Sequence, residues 1–381
     1  MSRSGWVQPI KIGQSPKEPP RGYRLVLASN VFSIKPRVRG HAPAPDLQSR
    51  GTLSAYSSVQ NVRGENLRIP QSIGSEVVVS RVTVTQSLAW LGRGECHDCV
   101  LLGGKASNLC HLAAEHRVPL GFCLTADAYD HARSSDLVTD EDSAPVSLPS
   151  DLFEELVQAY RTLGECCGLD TPSVAVRSSA LDEDGAGASF AGQHETYLNV
   201  VGAAAVAEAV ARCWASVRSS RALEYRRRQG FPLDGARIAV LVQQLIPADV
   251  SSVVFSANPV TGSRDEVMIN ASWGLGESIV GGTVTPDTYV VRKADMSIVS
   301  RQIAEKRQMT VMVPGGTREV DVPRVLRAQP TLTDDQAVEV ARLGVALEGR
   351  MGHPVDVECA VHAGQLYLLQ CRPITTHTGL R

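Results

Sequence analysis

Two runs near the end of the chain decide the fold, and both alternate between apolar and polar side chains: Val355-Asp356-Val357-Glu358-Cys359-Ala360 and Leu366-Tyr367-Leu368-Leu369-Gln370-Cys371-Arg372-Pro373. Alternation with a period of two is typical of β-strands that bury one face. It places Asp356 and Glu358 together on one face of the first strand, and Gln370 and Arg372 together on one face of the second. The connection His362-Ala363-Gly364-Gln365 predicts a hairpin turn.

A turn centred on Gly364 sets Glu358 opposite Gln370 and Asp356 opposite Arg372. A carboxylate beside an amide oxygen is a hard-ligand pair that suits Mg²⁺, and a neighbouring guanidinium suits a phosphate that touches the same metal. The alternative is a cross-strand ion pair on a solvated face. The hairpin alone leaves both interpretations open.

The composition indicates a globular protein, since 43% of the 381 residues are hydrophobic and 20% are charged. No apolar run approaches the roughly 20 residues needed to span a bilayer, and no signal segment opens the chain. The nine cysteines follow no secreted disulfide pattern. We therefore expect a cytoplasmic protein that does not associate with membranes.

The first 85 residues differ from the remainder, because they carry 12 Lys/Arg against 4 Asp/Glu and are rich in Ser, Pro and Gly. Such a composition predicts a flexible basic extension with little regular structure. The segment has no dense Lys/Arg cluster and few aromatic residues, so we do not expect it to bind nucleic acid.

From about Ser87 onward, helical and strand patterns alternate, which predicts a mixed α and β fold. Ser150 is a candidate cap for one helix, and Thr333 opens a capping box for another that ends near Gly352. The predicted helices cover about 103–116, 150–167, 203–229 and 334–351. The predicted strands are Ser173–Val176, Ile238–Leu245, Ser252–Phe255, Val267–Asn270 and Tyr289–Arg292, in addition to the final pair.

Three features indicate an anion site. A strand reaches Arg177 and leads into a loop of small residues at 185–192, whose backbone can close around a phosphate. Lys105 follows two glycines at a helix start and can bring a point charge to the same anion. Taken singly, the loop is more typical of an ordinary surface loop. The alternative for Lys105 is a solvated first-turn lysine, which the helix dipole disfavours.

Eight motifs, in this order, closely resemble the ATP-binding domain of the phosphoenolpyruvate synthase, pyruvate phosphate dikinase and rifampin phosphotransferase family. They are Gly103-Gly104-Lys105-Ala106, Val118-Pro119-Leu120-Gly121-Phe122, Val176-Arg177-Ser178-Ser179-Ala180, Ser189-Phe190-Ala191-Gly192-Gln193, Asn258-Pro259-Val260-Thr261-Gly262, Trp273-Gly274-Leu275-Gly276-Glu277, Pro286-Asp287 and Leu369-Gln370-Cys371-Arg372-Pro373. The resemblance spans about residues 99–376, and an ordered series is far more specific than any single motif.

The resemblance implies an α+β, ATP-grasp-type fold with two lobes, mixed sheets and flanking helices, which holds ATP between the lobes and Mg²⁺ at the phosphates. We expect residues 1–85 to precede it as the flexible extension. Residues 86–235 then form its first part with the phosphate-binding motifs, and 236–376 its second part with the adenine hinge and the metal-binding hairpin.

The resemblance also implies roles for individual residues. Lys105 and Arg177 look like the phosphate-binding cations, and Arg372 resembles the arginine that contacts the transferred phosphate; we count these three as catalytic. Glu358 and Gln370 look like the metal ligands. The expected nucleotide-binding residues are Lys105, Arg177, Ser189, Gly192, Gln243, Gln244, Leu245, Glu277, Glu358, Gln370 and Arg372.

One family feature is missing from the sequence. Full-length relatives relay phosphate through a histidine in a Thr-Ser-His-Ala type context, and none of the nine histidines has that context. We therefore expect an ATP-dependent phosphotransferase module whose phosphorylatable histidine lies on a separate polypeptide. The alternatives are a stand-alone small-molecule kinase and an ATP-binding regulatory or vestigial module without turnover.

Overall fold

A computed structural model describes residues 87–93, 99–134, 148–181, 195–230, 232 and 236–374, with the side chains of Tyr225 and Gln229 left out. The predicted basic extension at 1–85 and the small-residue loop at 185–192 lie outside these ranges. The described residues combine two large antiparallel sheets with flanking helices, which confirms the predicted α+β class. No helix within these ranges is long and apolar enough to cross a membrane.

The first sheet has five strands, in the spatial order β1-β2-β5-β3-β4. These are β1 (Leu88–Trp90), β2 (Gly121–Leu124), β3 (Ser173–Ala180), β4 (Thr196–Val201) and β5 (Ile238–Gln244). The accompanying helices are α1 (Cys99–Leu112), α2 (Ala126–Ser134), α3 (Ser150–Cys167), α4 (Ala203–Ser216) and α5 (Ser220–Gln229). Apolar side chains such as Val174, Val176 and Val240 pack on one face of this sheet with α2, α3 and α4.

The second sheet has six strands. In spatial order they are β13 (Gln365–Pro373), β12 (Val355–His362), β6 (Val250–Phe255), β7 (Glu266–Trp273), β8 (Asp287–Arg292) and β9 (Ile298–Gln302). The remaining elements are α6 (Glu277–Val280), α7 (Asp334–Met351) and a separate hairpin of β10 (Gln308–Val313) and β11 (Gly316–Asp321). Val355, Val357 and Cys359 face the core beneath this sheet, as their alternation predicts.

Helix α1 joins the two sheets. Its buried residues Leu102 and Leu109 belong to the same core as Leu241 of β5 and Val357 of β12. Asn108 on this helix donates from Nδ2 to the Cys371 carbonyl of β13 at 3.2 Å. A cleft lies between the two sheets, and its lining includes residues of β3 and β4 of the first sheet and of β6, β12 and β13 of the second.

The structure corrects three helix predictions. Helix α1 begins at Cys99 and ends at Leu112, with a break at Gly103, instead of running from Gly103 to His116. Ser150 is the first residue of α3, and Pro149 precedes it without a side-chain cap. The long helix predicted at 203–229 is two helices, because the chain turns after α4 and Ser219 caps α5 by accepting from the Ala222 amide at 3.2 Å.

The capping box of α7 is confirmed. The Thr333 hydroxyl accepts from the Gln336 amide at 3.2 Å, and the Gln336 side chain accepts from the Thr333 amide at 2.9 Å. The helix ends at Gly352, which has a positive φ of 75°. Side-chain caps thus fix the start of this helix, and a glycine with a left-handed backbone fixes its end.

Candidate nucleotide site

The final hairpin has the predicted register. Glu358 pairs with Gln370, and Asp356 pairs with Arg372. Ala363 and Gly364 occupy the turn with positive φ values of 49° and 74°, as a two-residue hairpin turn requires. A register shift follows Glu358, and four further pairs, from Cys359 with Leu368 to His362 with Gln365, close the hairpin.

Arg177 crosses the cleft from the first sheet to this hairpin. The sequence indicated that its strand ends at the arginine, but β3 continues to Ala180, so Arg177 lies inside the strand. Its side chain therefore points away from the face that carries Val174 and Val176. One guanidinium nitrogen donates to the Leu369 carbonyl at 3.1 Å, and the other approaches Glu358 Oε2 at 3.4 Å.

Lys105 is positioned by the break in α1. Gly103 has φ 69° and ψ 169°, a conformation that essentially only glycine adopts. A β-carbon built there would lie 2.3 Å from the Ser179 carbonyl oxygen, so the break also lets the helix approach β3 closely. Lys105 Nζ donates to the Ser178 carbonyl at 3.3 Å, and the Ala106 amide donates to Ser179 Oγ at 3.2 Å.

Arg372 is held by Asp356 on the same face of the hairpin. Its Nε and one terminal nitrogen both donate to Asp356 Oδ2, at 2.9 and 2.8 Å. The other carboxylate oxygen, Oδ1, is buried and has no hydrogen-bond partner within the structure. Burial raises the pKa of Asp356, and the Arg372 charge opposes that shift.

A cavity of about 310 Å³ lies in the cleft. Five of the predicted site residues line it: Arg177, Leu245, Glu277, Glu358 and Gln370. The lining also includes apolar side chains, among them Leu198, Leu275 and Val280. A cavity lined by both charged and apolar side chains suits a nucleotide, which has charged phosphates and an apolar base.

The other predicted residues lie elsewhere. Lys105 and Arg372 are in the neighbouring contacts described above and do not line the cavity. Gln243 is buried and donates from its side chain to the Pro119 carbonyl at 3.3 Å, and Gln244 likewise is not among the lining residues. Ser189 and Gly192 lie outside the described residues.

Glu358 and Gln370 form a donor set that fits Mg²⁺. They offer a carboxylate and an amide oxygen on directly paired residues at the cavity wall, which are hard ligands of the kind that this ion accepts. Mg²⁺ usually retains several waters and takes phosphate oxygens as further ligands, so two protein ligands suffice. Within the described ranges no cluster of three or more His, Cys, Asp or Glu side chains offers a metal site of another kind.

Sequence reasoning missed a buried ion pair between Lys306 and Asp287. Both side chains are fully buried, and Lys306 Nζ lies 2.5 Å from Asp287 Oδ1. Asp287 also accepts from the Ala304 amide and from the amide and hydroxyl of Thr331, at 2.8 to 2.9 Å. Asp287 therefore fastens the loops at 304 and 331 to β8, and nothing in the local sequence signals its distant lysine partner.

Comparison with known proteins gives the chain a family context. The family model for the pyruvate phosphate dikinase AMP/ATP-binding domain matches residues 140–379. A probable phosphoenolpyruvate synthase from Methanocaldococcus jannaschii is 39% identical over 316 residues, which cover 76% of this chain and 27% of that protein. The phosphoenolpyruvate synthase of Pyrococcus furiosus is 37% identical over 356 residues, covering 76% of this chain and 44% of that protein.

A rifampicin phosphotransferase from Streptomyces sviceus is 39% identical over 304 residues, covering 72% of this chain and 34% of that protein. The chain thus spans less than half the length of each of these three relatives. Among solved structures, D-alanyl-alanine synthetase A from Vibrio cholerae aligns with 72% of this chain and 56% of its own at 13% identity. The TM-score of 0.30 is too low for that alignment to indicate a shared fold by itself.

Proposed function

The chain belongs to the family of the pyruvate phosphate dikinase AMP/ATP-binding domain, and on that premise we propose that it binds MgATP in the cleft and transfers a phosphoryl group to a histidine on a separate polypeptide. The observation that carries this proposal is the contact of Arg177 with the Glu358–Gln370 hairpin across the cleft. It places a cation and two hard oxygen ligands at a cavity that apolar side chains also line.

The chemistry proposed for the site needs positioning and charge stabilisation more than covalent catalysis. The guanidinium of Arg177 can bind phosphate oxygens through paired N–H groups, and Lys105 supplies a second, more compact positive charge. When bound, Mg²⁺ would neutralise phosphate charge, with Glu358 and Gln370 as its protein ligands. Arg372, fixed by Asp356, would bind the phosphate that is transferred.

In the transfer itself, a neutral imidazole nitrogen of the partner attacks the γ-phosphorus, an N–P bond forms, and the O–P bond to ADP breaks. If the attack is at the β-phosphorus, the histidine receives a pyrophosphoryl group, AMP leaves, and the γ-phosphoryl group then passes to water or inorganic phosphate. Such a MgATP-consuming module would act in the cytoplasm. The sequence has no histidine in a Thr-Ser-His-Ala context, so the proposal places the acceptor outside these 381 residues.

The experiment incubates the chain with Mg²⁺ and ATP labelled on the β- and γ-phosphates, together with an isolated histidine domain from a full-length family member. The proposal predicts label on the histidine domain, in an acid-labile and base-stable form, and none when its histidine is replaced by alanine. ATP consumption with a small-molecule acceptor alone would favour the stand-alone kinase. Tight binding without turnover under either condition would favour a regulatory module.

A further inference from the structure

The β10–β11 hairpin connects the two sides of the cleft. Its strands pair along their whole length, from Gln308 with Asp321 to Val313 with Gly316, and Pro314 and Gly315 form the turn. At its base, the Thr310 carbonyl accepts from the Leu275 amide at 2.9 Å, on the second-sheet side. Gly274 makes this docking possible, because a β-carbon there would lie 2.4 Å from the Thr310 oxygen.

The tip of the hairpin is held by one side chain of the first sheet, that of Asn199. Its Nδ2 donates to the carbonyls of Val313 and Gly316, both at 2.6 Å, and these two residues flank the turn. Its Oδ1 accepts from the Ser173 hydroxyl at 2.6 Å. Two hydrogen bonds of this buried amide therefore fasten the hairpin to β4, and the third ties Asn199 to β3.

The backbone of β4 is distorted at this position in a way that orients the amide. Val174 pairs with Val200 and Val176 pairs with Tyr197, so Leu198 and Asn199 together stand opposite Ala175. Asn199 has a positive φ of 57°, which asparagine tolerates better than most residues. A β-bulge of this kind re-aims a side chain, and bulges are over-represented next to active sites.

The hairpin also reaches a residue of the cavity. Thr317 on β11 donates from its hydroxyl to Glu277 Oε2 at 2.9 Å. Glu277 lines the cavity, and it is the first residue of the short helix α6, directly after the glycine turn on which the hairpin docks. Asn199, Thr317 and Glu277 thus form a continuous connection from the first sheet, through the hairpin, to the opposite wall of the cleft.

We propose that Asn199 is a positioning residue for nucleotide binding, which acts through the β10–β11 hairpin and Thr317 to hold the Glu277 carboxylate at the cavity. This inference rests on the proposed function, since it assigns Glu277 a contact with the bound nucleotide. Losing the amide donors of Asn199 frees the hairpin tip, and losing the Thr317 hydroxyl frees the carboxylate itself. Both changes therefore weaken the same contact by different routes.

The test measures the dissociation constant of MgATP by calorimetry for Asn199→Asp, Thr317→Val and Ser173→Ala. Asn199→Asp keeps the acceptor for Ser173 and removes both donors to the hairpin. We expect it and Thr317→Val each to weaken binding about three- to tenfold, the range that corresponds to one net hydrogen bond. Ser173→Ala, which leaves the hairpin contacts in place, should bind like the parent chain.

Each variant is then repeated in a Glu277→Ala background, which separates positioning from a general loss of structure. The proposal predicts that Asn199→Asp and Thr317→Val have no further effect on binding there, because the residue through which they act is gone. The proposal is overturned if the variants lose MgATP affinity equally in both backgrounds, or if both variants bind MgATP unchanged in the parent background. If Asn199→Asp does not fold, the Thr317→Val cycle decides by the same criterion.

The two proposals fail in different ways. A parent chain that binds no MgATP overturns the proposed function and removes the basis of this inference with it. If the parent chain binds MgATP but each variant weakens binding equally in the parent and Glu277→Ala backgrounds, only this inference is overturned. Amide hydrogen exchange over residues 308–321 gives a readout without nucleotide. Asn199→Asp must accelerate exchange at the hairpin relative to Ser173→Ala, and equal exchange in the two variants contradicts the role of Asn199 in holding the hairpin.

Discussion

Arg177 on the first sheet and Glu358 on the second lie 3.4 Å apart across the cleft, between a guanidinium nitrogen and Oε2. The side chains are 13% and 22% exposed, so this ion pair is partly shielded from water. Each residue belongs to a rigid strand that is hydrogen-bonded on both sides, β3 between β4 and β5, and β12 between β6 and β13. The pair thus brings the proposed phosphate-binding group and the proposed metal-binding group to the same point.

Replacing Glu358 tests the metal site. Glu358→Gln keeps the size of the side chain and removes its charge, so Mg²⁺-dependent ATP binding should fall by a factor of ten or more, that is by about 1.4 kcal/mol or more. Calorimetry with and without Mg²⁺ measures the change. Glu339→Gln, an exposed change on α7, is the control. Unchanged Mg²⁺-dependent binding by Glu358→Gln would remove Glu358 from the assigned site.

Gly103 should tolerate no side chain. Gly103→Ala places a β-carbon 2.3 Å from the Ser179 carbonyl and forces φ 69° on an alanine, so we expect the free energy of unfolding to drop by about 2 kcal/mol or more. Urea denaturation measures it. Gly349→Ala, in α7 with open space around its β-carbon, should instead stabilise by about 0.4–1 kcal/mol. If the two substitutions change the free energy of unfolding equally, the backbone at Gly103 does not require a glycine.

The buried pair of Lys306 and Asp287 should contribute to stability and not to nucleotide binding. Lys306→Met leaves the Asp287 carboxylate buried without its cation, at a cost of about 3–5 kcal/mol. Denaturation midpoints and MgATP affinity are measured on the same samples. Arg292→Ala, which breaks the exposed pair with Asp295, should cost no more than about 1 kcal/mol. If Lys306→Met costs no more stability than Arg292→Ala, the buried pair does not hold the loops at 304 and 331 to β8.

The sequence predicted what local patterns encode. The alternation and the turn with Gly364 predicted the pairing of Glu358 with Gln370, although the register shift that produces it was not predicted. The bounds of α7 follow from Thr333, Gln336 and Gly352. In both cases the local sequence pattern and the burial of apolar side chains favour the same structure, so contacts with distant residues are not needed to predict it.

Other features depend on contacts between distant residues. Strand β9 has no buried residue, so its sequence carries no alternation to detect. The break between α4 and α5 falls at Val217, Arg218 and Ser219, and the serine that caps α5 was its signal in the local sequence. For the site, the family resemblance gave five of the residues that line the cavity. It gave neither the hydrogen bonds from Asn199 to the β10–β11 hairpin nor the Asp287–Lys306 pair, because each joins segments far apart in the chain.

The central claim is that the cleft is a working MgATP site, and titration of MgATP into the purified chain by calorimetry tests it most directly. Lys105→Ala and Arg177→Ala remove the two predicted phosphate-binding cations, and Arg292→Ala removes an exposed arginine distant from the cavity lining. We predict saturable binding by the parent chain and by Arg292→Ala, and its loss in both cleft variants. No binding by the parent chain, or undiminished binding by Lys105→Ala and Arg177→Ala, would contradict the account.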